Sequence, residues 1–136
     1  MDPDFSRARF YLGWIYEQKA MYAEAIPEFQ KAWTLSGNPQ MLAALAHAYA
    51  ASGKQGEARQ ALAELKELSK GRYVAPLDMA IVYIGLGERE LALEWLEKAC
   101  EDHSYWLIWL KTDPRFDSLH GHPRYRELLR RMGLPP

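Results

Sequence analysis

The feature that most constrains this 136-residue chain is an internal repeat. A tyrosine stands at Tyr16, Tyr49 and Tyr83, and each is followed nine residues later by an alanine, so the repeat length is 33 and then 34 residues. Repeats of this length stack copies of one supersecondary unit. Within each unit apolar residues recur at steps of three and four, which predicts two amphipathic helices. The repeat therefore predicts an all-α solenoid of three helical hairpins.

The turn inside each unit is marked by glycine in two of the three copies. Gly53 and Gly87 share one register position, where a left-handed residue ends the first helix of the pair. Ala20 occupies that position in the first unit, so we expect a less sharply marked helix end there. The second helices are predicted to begin near Met21, Lys54 and Glu88.

Small residues recur where the two helices of a unit would cross. They are Gly13, Ala46 and Ala80 on the first helices, and Ala25, Ala58 and Ala92 on the second helices. Two helices approach closely only where neither presents a large side chain, and a bulky residue forced in there costs roughly 1–3 kcal/mol. The pattern predicts close helix–helix packing within every unit.

The segment "YLGWIYEQKAMYAEAIPEFQKA" resembles the tetratricopeptide repeat pattern of Leu-Gly, Tyr, Ala, Phe and Ala. The resemblance extends over residues 6–104, and it departs from the pattern at Arg9 and Pro76, where a large apolar residue is usual. It implies a single tetratricopeptide domain over residues 1–136. Its parts are repeats at about 6–38, 39–72 and 73–104, followed by capping helices over 105–136.

The tail "WLIWLKTDPRFDSLHGHPRYRELLRRMGLPP" resembles the segment that ends tetratricopeptide arrays in modular bacterial regulators. That resemblance implies that the chain is the C-terminal piece of a longer bacterial signalling protein. From the residues alone, Pro114 and Pro123 each follow a helix-capping residue and predict helix starts. We therefore expect residues 105–136 to form a lid over the apolar end of the last repeat.

The tetratricopeptide resemblance implies a non-catalytic protein–protein interaction module, or scaffold, that binds a peptide or partner segment in a concave groove. By register, the groove positions are Arg7, Phe10, Tyr11, Trp14, Gln18, Ala43, Ala44, His47, Ala50, Leu77, Asp78 and Ile81. Members that grip a peptide carboxylate carry lysines and asparagines here, whereas this chain has Phe10 and Trp14 at two such places and no lysine. We expect an apolar helix or extended segment as the partner, because aromatic anchors supply much of the energy in such contacts.

Other interpretations remain open for the aromatic residues of the first helix. They could cover a neighbouring repeat or simply be partly buried, or they could mediate self-association, so that the module makes homo-oligomers of a larger regulator. Exposed aromatic residues that are grouped on one helix form an apolar face, and such a face favours association.

Other functions find little support in the sequence. The net charge of −1 and the pI near 6.4 give no overall reason to expect nucleic acid or an anionic membrane as partner. The four histidines lack a recognised metal spacing, Cys100 is the single cysteine, and an acid–base pair of His47 and Asp78 would lack a nucleophile. We predict no enzyme activity, no cofactor, no metal and no membrane span, in a cytoplasmic protein.

Overall fold

The computed structural model describes residues 3–101 and 119–131 of the chain. Within these ranges the chain forms seven α-helices and no strand. The helices are α1 (Pro3–Gln18), α2 (Tyr22–Ser36), α3 (Pro39–Ala51), α4 (Gln55–Leu68), α5 (Pro76–Gly85), α6 (Arg89–Glu101) and α7 (Pro123–Arg131). The predicted all-α fold is confirmed.

The first six helices form three antiparallel hairpins that stack side by side. α1 packs on α2, α3 on α4, and α5 on α6, while α3 also contacts α2 and α5. Each hairpin is therefore one helical repeat, and α3 is the central helix of the stack. This arrangement is the predicted helical-repeat solenoid.

The core lies at the helix crossings, where small residues are completely buried. Ala25, Ala46, Ala58, Ala80 and Ala92 all have no exposed surface. A Cβ atom added at Gly13 would lie only 2.9 Å from two ring carbons of Phe29, so α1 and α2 approach more closely there than any side chain would allow. The predicted close packing at the small positions is confirmed.

Local signals explain where the hairpins begin and end. Gly37 has a φ of +66° and ends α2, and the side chain of Asn38 accepts a hydrogen bond from the Gln40 amide at the start of α3. Pro39 and Pro76 each occupy the first helical turn, where a missing N–H group is tolerated.

The turns inside the hairpins are more uniform than the sequence predicts. Gly53 and Gly87 have φ values of +88° and +79°, as expected, but Ala20 also adopts a left-handed conformation, with φ +58°. The Met21 amide donates to the Tyr16 carbonyl across this turn at 2.9 Å. The expectation of a poorly marked end for α1 is therefore wrong: the alanine takes the conformation that glycine takes in the other two turns.

The helix α7 packs against α6 at the end of the stack. Tyr125, Leu128 and Leu129 are buried, and Leu119 is buried just before the helix. α7 begins at Pro123, as predicted, and the His122 ring accepts a hydrogen bond from the Arg124 amide at 3.1 Å. The remainder of the predicted lid, including residues 105–118, lies outside the described residues.

Candidate functional site

The predicted groove positions on α1 form one accessible stripe. Arg7, Tyr11, Trp14 and Gln18 are all exposed, and they follow one another at steps of four, three and four residues. Such steps place side chains on the same side of a helix. The stripe presents two aromatic rings, a cation and an amide to solvent.

The predicted groove positions on α3 and α5 are far less accessible. Leu77 is half-buried, and the buried positions are Ala43, Ala44, His47, Ala50, Asp78 and Ile81. Among the described residues the predicted positions therefore do not form one open surface. The part that a partner could reach without rearrangement is the α1 stripe.

Phe10 belongs more to the packing of the first hairpin than to its surface. Its ring lies 5.8 Å from the Phe29 ring, and it is half-buried against the core. The Tyr11 ring lies beside it, also at 5.8 Å. Phe10 therefore supports Tyr11 from beneath, while Tyr11 itself is 57% exposed.

A second apolar row lies next to the stripe on the outer side of α1. Ala8, Tyr11, Leu12 and Ile15 are exposed and follow the i, i+3, i+4, i+7 pattern of a helix-packing face. The residues 33 positions later are buried: Met41, Ala44, Leu45 and Ala48. In α3 this face is covered, and α3 packs against α2, α4 and α5. On α1 the same face has no such covering among the described residues.

The sequence did not predict the polar contact that links α1 to α3. Nδ1 of His47 lies 3.1 Å from Oε2 of Glu17, and both side chains are buried. The only sequence signal was that Glu17 stands four residues after Gly13, on the core side of α1. Because Glu17 is on the first hairpin and His47 on the second, the pair ties two repeats together. His47 thus acts as a structural link rather than as a free groove residue.

Charged side chains fasten α7 to α6. Arg124 lies 2.8 Å from Glu90 and 2.9 Å from Glu97, and His122 lies 2.8 Å from Glu90. The hydrogen bond from His122, followed by that from Arg124, lowers the pKa of Glu90 below its ordinary value. The hydrogen bonds to Glu97 and then Glu90 raise the pKa of Arg124.

The described residues offer little for other chemistry. In residues 3–101 and 119–131 no group of three or more His, Cys, Asp and Glu side chains is placed to hold a metal ion. None of the helices in those ranges is long and apolar enough to cross a membrane. Among the same residues every fully buried side-chain nitrogen or oxygen has a hydrogen-bond partner.

Comparison with known protein families gives a match to part of the chain. Residues 6–39, a quarter of the chain, match the family described as Tetratricopeptide repeat. Neither a curated protein nor a solved structure matches the chain. The matched segment contains most of α1, all of α2 and the turn at Ala20. Together, the stack of helical hairpins and this match support the tetratricopeptide repeat family, a generally non-enzymatic family whose repeats mediate contacts between proteins.

Proposed function

We propose that the chain is a non-catalytic interaction module that takes a partner segment along the exposed side of α1. The observation that supports this most directly is the accessible stripe of Arg7, Tyr11, Trp14 and Gln18, in a structure where the other predicted groove positions are mostly buried. The resemblance of the tail to the ends of tetratricopeptide arrays in bacterial regulators supports a signalling role in a bacterial cytoplasm.

The chemistry of the stripe favours an apolar partner segment. Trp14 and Tyr11 are 36% and 57% exposed, and aromatic side chains of this kind supply large contact areas at low entropic cost. Arg7 and Gln18 at the two ends can hydrogen-bond to a partner backbone. Since the stripe carries no lysine, it does not reproduce the grip on a peptide carboxylate that some tetratricopeptide proteins use.

A selection from a displayed peptide library tests this proposal. Peptides selected on the wild-type chain are titrated against Tyr11→Ala/Trp14→Ala and against Leu91→Ala, a control that removes an exposed apolar side chain from α6. We expect the double variant to lose at least tenfold in affinity, which corresponds to about 1.4 kcal/mol, and the control to bind like wild type. Equal affinities in all three proteins would contradict the proposal.

Self-association is a second candidate, supported by the uncovered row of Ala8, Tyr11, Leu12 and Ile15. An aromatic side chain presents roughly 150–250 Å² when fully exposed. The large side chains of this face, with Phe5 and Trp14 at its edges, are 36% to 57% exposed, so the face offers on the order of 500 Å² per copy. Two copies would bury about 1,000 Å², the lower limit for a specific interface. A weak dimer with a Kd on the order of micromolar is therefore expected.

Sedimentation over a range of concentrations tests the dimer. The mass of the wild-type chain should rise with concentration, whereas Ile15→Glu should stay monomeric and the control Leu91→Glu should behave like wild type. A concentration-independent monomer for the wild type rejects self-association and leaves peptide binding to be judged by its own titration.

A further inference from the structure

A cleft opens on the other side of α3 from the predicted groove positions. Its volume is about 430 Å³, and α2, α3 and α4 all contribute to it. Its apolar part is formed by Trp33, Leu42, Leu45, Tyr49 and Ala61, and its polar part by Gln30, Thr34, Glu57, Gln60 and Glu64. The Tyr49 hydroxyl is held by the Gln30 side chain at 2.6 Å, so one wall is fixed in place.

The repeat explains why the cleft exists. Ala58 and Leu62 in α4 correspond to Ala92 and Leu96 in α6, and all four are buried. The same register makes Ala61 the counterpart of Trp95. Trp95 is half-buried and packs against the core. In the second repeat an alanine replaces that indole, and the space beside it remains open.

The equivalent place between the second and third repeats shows what kind of group suits such a space. There the Lys98 ammonium lies 4.1 Å from the centre of the Trp95 ring, and the Lys66 ammonium lies 5.9 Å from the Tyr83 ring. Both distances allow attraction between a cation and the face of an aromatic ring. The counterparts of these lysines in the cleft are Glu64 and Trp33. The described lining of the cleft thus has aromatic rings and carboxylates but contains no Lys or Arg.

We propose that this cleft binds a basic segment of a partner protein that carries two arginines, one of them stacked against the rings of Trp33 and Tyr49, with the two charges met by Glu57 and Glu64. A guanidinium group suits the site better than an ammonium group, because it is planar, stacks on aromatic rings and pairs with carboxylates through two hydrogen bonds. This binding site is separate from the α1 stripe and extends the proposed function to a second surface.

The spacing of the two glutamates defines the segment further. Glu57 and Glu64 are seven residues apart on α4, which is roughly 10 Å along the helix. In a peptide that takes the polyproline II conformation, side chains three residues apart lie on the same side and are separated by about 9 Å. Because both carboxylates are exposed at the cleft, a segment with arginines at positions i and i+3 can pair with both of them.

A titration with a defined peptide tests the proposal. The probe is acetyl-Gly-Arg-Gly-Ser-Arg-Gly-amide, and its control carries citrulline in place of both arginines, which keeps the shape and removes the charge. Binding is followed by NMR through the indole N–H signal of Trp33, assigned with Trp33→Phe. We expect the arginine peptide to shift this signal in a saturable manner and to bind at least tenfold more tightly than the citrulline peptide.

Variants locate the contact. Glu57→Gln/Glu64→Gln should weaken binding at least tenfold, while Glu94→Gln, an exposed glutamate on α6, should leave it unchanged. Ala61→Trp should fill the cleft as Trp95 fills the equivalent place in the third repeat. If this variant folds, it should bind the arginine peptide at least tenfold more weakly than wild type. Binding to this variant is followed through the amide signals of the peptide.

Several results would overturn the proposal. They are the absence of saturable binding, equal binding of the citrulline peptide, or wild-type affinity in the double glutamate variant. If Ala61→Trp does not fold by circular dichroism, the double glutamate variant decides, because both changes are at exposed positions. Since the α1 stripe is tested by Tyr11→Ala/Trp14→Ala, failure at the cleft is distinguishable from failure of the proposed function.

Discussion

Ala20 offers a direct test of backbone strain in the turns that join the two helices of each hairpin. Three turns share one geometry: the amides of Met21, Lys54 and Glu88 donate to the carbonyls of Tyr16, Tyr49 and Tyr83 at 2.9, 2.8 and 3.0 Å. The residue before each of these donors has a positive φ, but only the first is an alanine. An L-residue in the left-handed region is strained by roughly 1–2 kcal/mol. The change Ala20→Gly should therefore stabilise the protein.

The net gain is smaller than the strain because glycine also makes the unfolded chain more flexible. That effect removes about 0.4–1 kcal/mol, so we expect Ala20→Gly to stabilise the fold by about 0.5–1 kcal/mol. The reverse changes, Gly53→Ala and Gly87→Ala, should destabilise by a similar amount. An added Cβ meets no atom within 4 Å at either glycine, so these changes introduce backbone strain without a steric clash.

Urea denaturation followed by circular dichroism at 222 nm measures these changes. The midpoint should rise for Ala20→Gly without a change in slope, and the melting temperature should rise by roughly 2–5 °C. Ala63→Gly, at an exposed position inside α4, is the control and should lose about 1 kcal/mol. If Ala20→Gly destabilises as the control does, the left-handed strain inferred at this turn is refuted.

Three further predictions concern contacts in the described helices. Gly13→Ala places a Cβ 2.9 Å from ring carbons of Phe29, so it should destabilise the fold by about 1–3 kcal/mol in urea denaturation; no change in midpoint would contradict the close crossing. His47→Ala leaves the buried Glu17 side chain without its partner at 3.1 Å, which should destabilise the fold by about 3 kcal/mol. His47→Gln should cost less stability because glutamine keeps a hydrogen-bond donor. Equal losses of stability in the two variants would show that the hydrogen bond is unimportant. The hydrogen bonds from His122 and then Arg124 lower the pKa of Glu90 below the ordinary 4.5. Its carboxylate therefore stabilises the contact between α6 and the chain at the start of α7 above that pH, and it stops doing so as the pH falls through the lowered pKa. The difference in melting temperature between wild type and Glu90→Gln should therefore shrink in acid, and a constant difference would argue against this role.

The positions of the helices could be predicted closely because their signals are local. The second helices begin at Tyr22, Gln55 and Arg89, each one residue beyond the expected start. Asn38 with Pro39, and the glycines of the turns, act on the few residues around them. The small residues at the crossings were also visible, since the repeat places them at one register position in every unit.

Accessibility could not be predicted in the same way. The register placed Ala43 and Ile81 with Tyr11 on one surface, but the structure buries the first two and exposes the third. Burial depends on which other helices pack nearby, and α3 is surrounded more completely than α1. The sequence pattern of one repeat contains no information on that difference.

The sequence by itself determined the repeat, the helical hairpins and the residues at their crossings, because periodicity and capping act within one unit. Only the tertiary structure decided that Glu17 pairs with His47, that Ala20 takes a left-handed conformation, and that a cleft remains beside Ala61. The pair and the cleft result from contacts between residues of different repeats, and the turn at Ala20 lies between two helices, α1 and α2, that pack against each other.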